Sequence, residues 1–311
     1  MRKDFNLTIL GKSSAVPTSE SFPSCQTLQF GSTVFLIDCG EGCQMQLRKN
    51  KISFKQIRHI FISHLHGDHF YGLFGLLSTM ALLGRKNALN LYAHEKLEHI
   101  LKFVSIQAGK TLDFPIVFHP LAYDEKTLIL ETKRMKVFSF PLRHRIPTCG
   151  FLFEEKVNVF NIRPEMIDKF QMSYLEIRRS KQGADLIRDG KRIAKNEQLC
   201  YPPENSRSYA YCSDTTYDAK IAGYVKHVDL LYHEATFGSD MARKEESYFH
   251  STAKQAAQVA KSAKAGKLII GHFSTRYKTV DLLLDEAQTI FPKTLAADEN
   301  QCIPVENVNE K

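Results

Sequence analysis

Residues 61–70 read FISHLHGDHF. Three histidines and an aspartate fall within six positions, directly after an apolar run. A strand ending at Ser63 places the next turn at its C-terminal edge. In a tight turn the side chains of His64, His66, Asp68 and His69 converge on a small volume, with Gly67 letting the backbone bend. Neutral imidazoles and a carboxylate suit a borderline cation such as Zn²⁺. A single histidine on a strand is usually structural; four such groups in six positions point to a metal. Four ligands on one turn cannot all hold one ion and leave an open position, so the stretch calls for two ions and for more ligands elsewhere.

Three further candidates occupy a consistent place. His144 follows KVFSFPLR, Asp214 follows YAYCS and His272 follows KLIIG. Each lies just beyond a short apolar run with strand character, where α/β folds collect their sites. Similar runs recur in FNLTILG (5–11), CQTLQFGSTVFLIDCG (25–40), ALNLYAH (88–94), CGFLFEE (149–155) and VDLLYHEAT (228–236). Helical patterns fall at 41–50, 70–84, 95–107, 252–265 and 279–290. Strands alternating with helices across both halves predict a layered α/β fold. A chain of 311 residues is long enough to form it as one domain, 1–311. Between about 160 and 207 the apolar periodicity weakens, and residues 163–195 carry nine Lys/Arg against five Asp/Glu. An inserted, projecting arm over about 155–205 is expected there.

Hydrophobic content of 43% and charged content of 24% fit a soluble globular protein. A net charge of +8 is compatible with an anionic partner such as nucleic acid without requiring one. The seven cysteines are scattered and form no C-x-x-C pair, which predicts reduced thiols in a cytoplasmic protein. Residues 1–10 contain no long apolar core of a signal peptide. The longest apolar stretch, 70–84, falls short of about 18 residues and reads as a buried helix, not a membrane span.

The ordered pattern H-x-H-x-D-H, then His, Asp and His, resembles the metallo-β-lactamase superfamily. That resemblance implies an αβ/βα four-layer sandwich: two sheets with helices on both outer faces. It also implies one metal on His64, His66 and His144, a second on Asp68, His69 and His272, and Asp214 bridging them. LGKSSAVPT (10–18), IDCGEGCQMQL (37–47), HLHGDHFYGLFGLL (64–77), HEAT (233–236), HST (250–252) and HFSTRY (272–277) narrow the likeness. In that order, and over residues 5 to 300, they resemble ribonuclease Z in its short form.

Membership of that family implies a zinc-dependent endoribonuclease that removes 3′ trailers from precursor tRNA by two-metal hydroxide attack. Two Zn²⁺ per subunit are implied, with Mn²⁺ or Co²⁺ as substitutes. Asp68 would bind metal and orient the attacking water. His250, paired with Glu234, would protonate the leaving 3′ oxygen. Arg276 would hold a phosphate oxygen, and Ser251, Thr252 and Ser274 would either contact phosphate or hold the loops, with helix capping an equal alternative for Thr252. The family's arm serves the partner's active site, implying a homodimer. His59, His94, His99, His119, His227 and His233 read as structural or exposed, with His233 supporting Glu234 by packing. The runner-up is a broader phosphodiesterase or 3′ exoribonuclease of the same fold. A catalytically dead RNA-binding scaffold would have lost ligands, and all seven are present.

Two stretches depart from the family pattern. The loop that often reads P-x-K-x-R-N, and helps distinguish tRNA 3′ ends, is here PTSESFPS, Pro17 to Ser24. The arm lacks the family's Gly-Pro motif. Its basic residues Arg178, Arg179, Lys181, Lys191 and Arg192 remain available to track a phosphate backbone.

Overall fold

Two seven-stranded sheets organise the chain. The computed structural model describes residues 3–107, 109, 112–156, 160–202, 205–241 and 248–307. With strands numbered in chain order, the first sheet runs β18 (Cys302–Pro304), β1 (Phe5–Gly11), β2 (Cys25–Phe30), β3 (Thr33–Ile37), β4 (Ile57–Phe61), β5 (Leu89–Ala93), β6 (Ile116–Pro120). The second runs β17 (Thr294–Ala296), β16 (Lys267–Gly271), β15 (Leu230–Glu234), β14 (Ser208–Cys212), β9 (Thr148–Glu155), β8 (Met135–Leu142), β7 (Thr127–Glu131). The strands β3 to β6 are parallel, as are β14 to β17.

Strand alternation sorts the side chains. Along β3, Phe35 and Ile37 join the core shared by the two sheets, while Val34 and Leu36 face the helices outside. Phe35 meets Phe153 of the opposite sheet at 5.6 Å between ring centroids, and Phe61 meets Phe151 at 5.4 Å. On the outer face the helix Gly72–Leu82 buries Leu73, Leu76, Leu77 and Met80, one stripe at helical spacing. Each of these side chains contributes roughly 1.5–3 kcal/mol of burial. Outside the second sheet, the helix Ala253–Ala263 buries Ala256, Ala257 and Ala260. This is the αβ/βα four-layer sandwich.

Three expectations are refined. The helix expected over 70–84 is Gly72–Leu82, preceded by a separate helical turn, Gly67–Phe70. Asp68 and His69 therefore sit on that helical turn. Gly67 has no left-handed backbone, and a Cβ there would meet only the exposed Tyr71 ring, which can swing aside, so neither bending nor space requires glycine. All seven cysteines are unbridged. Among the described residues no helix is long and apolar enough to cross a membrane.

Residues 160–202 are inserted between β9 and β14, which pair directly in the second sheet. They hold two short helices, Pro164–Phe170 and Tyr174–Ser180, and the hairpin β11 (Leu186–Arg188) with β12 (Lys191–Ala194). Their own small apolar cluster includes Met172, Leu186 and Leu199. Arg188 is bound to Glu176 at 2.7 Å and to the carbonyl of Phe170, so it holds this segment together. Arg178, Arg179, Lys191 and Arg192 are exposed.

Candidate metal centre

All seven expected ligands meet at one edge, where the two sheets come together. The turn after β4 supplies His64, His66, Asp68 and His69. His144 follows β8, Asp214 follows β14 and His272 follows β16. Their donor atoms form two groups, His64–His66–His144–Asp214 and Asp68–His69–Asp214–His272. Asp214 belongs to both, and its two oxygens divide between them. Oδ1 lies 3.3 Å from His69 Nε2 and 3.2 Å from His272 Nε2, whereas Oδ2 lies 3.7 Å from His64 Nε2.

The surroundings fix which way each imidazole points. Asp38, buried behind the turn, can only accept through its carboxylate, so His69 Nδ1 donates to it at 2.7 Å. Ser63 Oγ gives its single proton to Asp38 at 2.9 Å; His64 Nδ1, 3.0 Å away, must therefore donate to Ser63. His144 Nδ1 donates to the Phe249 carbonyl at 2.8 Å. Thr236 Oγ1 donates to Glu234 at 2.8 Å and so accepts from His272 Nδ1 at 3.0 Å. Four Nε2 lone pairs are thereby turned inward onto His66 Nδ1, Asp68 and Asp214.

The four Nε2 atoms and the carboxylates are acceptors, and the His66 tautomer sets the direction of its Nδ1 hydrogen bonds to His64 and His144. His64 Nε2 and His144 Nε2 stand 3.0 and 3.1 Å from His66 Nδ1, and His69 Nε2 stands 3.3 Å from Asp68. His69 Nε2, His272 Nε2 and Asp214 Oδ1 are buried with no hydrogen-bond partner. Unpartnered buried atoms of this kind, aimed at one another, favour a cation between them. The donor set, imidazole and carboxylate oriented by outer hydrogen bonds, fits a divalent metal.

Without an ion the electrostatics differ between the two groups. Burial holds His64 and His144 well down toward the neutral, ligand-ready form. Burial would do the same to His69, but the Asp214, Asp68 and Asp38 carboxylates outweigh it and push its pKa up. Burial raises Asp68 and Asp214, yet the facing histidines hold both well below the usual carboxylate range.

Beside the cluster, His250 Nδ1 lies 3.1 Å from Glu234 Oε1. Glu234 is fully buried and also accepts from the backbone N–H groups of Thr215, Ser251 and Thr236. Burial lowers His250, but the Glu234 carboxylate outweighs it and carries the pKa up to about 9. The expected packing role of His233 matches its place: it is buried and its Nδ1 donates to the Glu234 carbonyl.

The remaining expected residues divide. Thr252 caps the helix Ala253–Ala263, accepting from Gln255 N in a capping box. Of its two expected roles, the structure shows the cap. Ser251 is buried and donates to the Thr215 carbonyl. Ser274 accepts from Arg276 N at 3.5 Å, and Arg276 is exposed with its guanidinium over the Phe237 ring. The Pro17–Ser24 loop is tied down by Glu299, which accepts from Phe22 N and Ser21 Oγ. Sequence reasoning missed the orienting groups Asp38, Ser63 and Thr236. Asp38 and Thr236 lie inside IDCGEG and HEAT, so the motifs held the signal without the contacts.

The four-layer sandwich and the His/Asp cluster at its edge define a metallo-β-lactamase-fold hydrolase. Comparison with known proteins agrees. A Bacteroides thetaiotaomicron protein named Ribonuclease Z is 45% identical over 307 residues, 98% of this chain and 97% of that one. A Parabacteroides distasonis protein of the same name is 40% identical over 302 residues, 97% of this chain and 99% of that one. The chain belongs to the ribonuclease Z family, and over residues 5–174 it also belongs to the family described as Anti-Pycsar protein Apyc1. Two solved structures share the fold. Human tRNase Z, short form, superposes with a TM-score of 0.71 at 24% identity, covering 97% of this chain and 99% of that one. The metallo-β-lactamase fold protein YhfI from Bacillus subtilis does so at 0.69 and 18%, with the same coverage.

Proposed function

We propose that the chain is a zinc-dependent endoribonuclease that removes 3′ trailers from precursor tRNA, leaving a tRNA 3′-hydroxyl and a 5′-phosphorylated trailer. The observation that carries this reading is the two groups of inward-facing acceptors sharing Asp214, set beside the His250–Glu234 pair. Family membership supports the substrate. Two Zn²⁺ would be held, one by His64, His66 and His144 and one by Asp68, His69 and His272, with Asp214 between them. Mn²⁺ or Co²⁺ would substitute. When bound, such ions supply Lewis-acid charge for the phosphoryl oxygens and acidify water.

The chain's own groups do the rest. The Asp68 carboxylate orients the attacking water and takes its proton. His250, charged through Glu234, gives a proton to the departing 3′ oxygen. Arg276, exposed over Phe237, meets a phosphate oxygen through its planar fork. Ser251 and Thr252 hold the loop that carries His250, and Ser274 shapes the turn that carries Arg276. In this reading the arm, about 155–205, is a tRNA-binding exosite serving the partner subunit of a cytoplasmic homodimer. The Pro17–Ser24 loop carries no cation, so discrimination against a 3′ CCA end is relaxed.

The alternative is a broader phosphodiesterase or 3′ exoribonuclease. The match of residues 5–174 to a second family favours keeping it. End-mapping of a 3′-extended precursor, with and without an encoded CCA, separates the two. One cut leaving a 3′-hydroxyl and an intact 5′-phosphorylated trailer supports the endonuclease. Stepwise shortening from the 3′ end transfers the function to the alternative.

A further inference from the structure

Net positive charge gathers in two segments, the arm and residues 42–94. Residues 42–94 hold seven of its 42 Lys and Arg but one of its 34 Asp and Glu, and that one is Asp68 inside the metal cluster. This segment therefore carries +6 of the net +8. Four of the seven cations, Arg48, Lys51, Lys55 and Arg85, line a single concave surface of about 440 Å³. Ile52 and Leu83 give it exposed apolar surface, while Phe54 and Met80 lie buried beneath, the Phe54 ring under the Arg48 guanidinium. Lys49, Arg58 and Lys86 flank it in the chain. None of the seven forms an ion pair among the described residues.

The cations differ in how they are held. Arg85 is buried, and its guanidinium donates to the carbonyls of Phe54, Ile57, Ala88 and Asn87. It is a fixed positive charge beneath the surface. Arg48, Lys51 and Lys55 are exposed and line the same surface. A cluster of like charges without counter-charges repels itself, and an anionic partner relieves that repulsion.

The place of this surface relative to the metal cluster indicates the partner. The helix Gly72–Leu82 begins beside the turn carrying Asp68 and His69 and ends at Met80 and Leu83, on the rim of the basic surface. Eleven residues span about 16 Å. The strand β4 likewise runs from Ile57, beside the basic surface, to the metal turn. The surface thus lies one helix length from the cleavage point, on the half of the molecule opposite the arm. A cation-rimmed groove with exposed apolar surface fits a single strand, whose phosphates meet the rim and whose bases meet the apolar surface.

We propose that this surface binds the phosphate backbone of the RNA's 3′ trailer. The proposal rests on the RNA-cleaving reading above and assigns the trailer side of the substrate to the chain's own first half.

The test is equilibrium binding of metal-loaded wild type and the triple variant R48A/K51A/K55A to a precursor tRNA with a long trailer and a non-hydrolysable junction. The same RNA without its trailer serves as the control. Removing three single-strand phosphate contacts lowers the slope of log K against log salt by about 2. The trailer-bearing RNA should then bind on the order of tenfold more weakly at low salt. The trailerless RNA, the melting temperature and the hydrolysis of a small chromogenic phosphodiester should not change. An unchanged slope and affinity for the trailer-bearing RNA overturns the proposal. So does equal competition by AMP or inorganic phosphate, which would make the ligand a free phosphate compound. Loss of binding to phosphatidylglycerol vesicles with RNA binding intact would assign the surface to lipid and overturn it as well. Binding is read without cleavage, so failure to cut a hydrolysable precursor would count against the proposed function and not against this surface.

Discussion

Asp38 and His69 are joined by a 2.7 Å hydrogen bond between two fully buried side chains, the imidazole Nδ1 donating to the carboxylate. The same carboxylate accepts from Tyr211 Oη at 2.7 Å and, through Ser63, sets the direction of His64. One acid therefore orients an imidazole in each half of the centre. Asp38 adopts a left-handed backbone, φ 55°, which Asn also tolerates. Asp38→Asn should keep the fold and weaken divalent metal binding by about 10–100-fold, the usual effect of losing such a partner. Competition against a chelator of known affinity measures it. Equal affinity in variant and wild type would remove Asp38 from this role.

His250 is held charged by Glu234, with its pKa raised to about 9. Its proton is present below that value and lost as pH rises through it. The rate on RNA should therefore fall above about pH 9. His250→Ala should lower kcat on RNA by about 10²–10⁴-fold. A substrate with a p-nitrophenolate leaving group needs no proton and should lose far less. Equal losses on both substrates would show that His250 acts in some other way.

Gly72 is the first residue of the helix that follows the metal turn. A Cβ there would lie 2.0 Å from the Gly40 carbonyl oxygen, and Gly72 N donates to the Cys39 carbonyl at 2.9 Å. Alanine normally favours a helix by about 1 kcal/mol over glycine. Here the clash with fixed backbone should reverse the sign, with overpacking costing about 1–3 kcal/mol. Thermal unfolding of Gly72→Ala should show a lower midpoint; a higher one would mean that the Asp38–Gly40 turn yields freely.

Thr252 accepts from Gln255 N as the cap of Ala253–Ala263. Thr252→Ala should cost about 0.5–2 kcal/mol of stability. KM for RNA should stay unchanged. A KM rising many-fold at constant stability would instead restore Thr252 as a phosphate contact.

Most of the candidate centre was legible in the sequence because its residues stand out by type and position. Four crowd one turn, and three others each follow a short apolar run. Layering was equally legible, since Leu73, Leu76, Leu77 and Met80 repeat at helical spacing while Val34 to Ile37 alternate. Contacts between distant segments were not legible. Nothing local in IDCGEG says that Asp38 reaches across to His69, 31 residues on, or that Tyr211 from the opposite sheet joins it. The positive charge of residues 42–94 was visible as composition, but its gathering into one surface depends on how the helix Gly72–Leu82 lies against the loop at 51–55.

If the two His/Asp groups are one two-ion centre that cuts precursor tRNA, bound metal and cleavage must rise together. The direct measurement is a Zn²⁺ titration of the metal-stripped protein, following bound metal and cleavage of a 3′-extended precursor together. Cleavage should rise until two ions are bound per chain and then level off. Full cleavage with one ion bound, or an intact precursor with two, would contradict it.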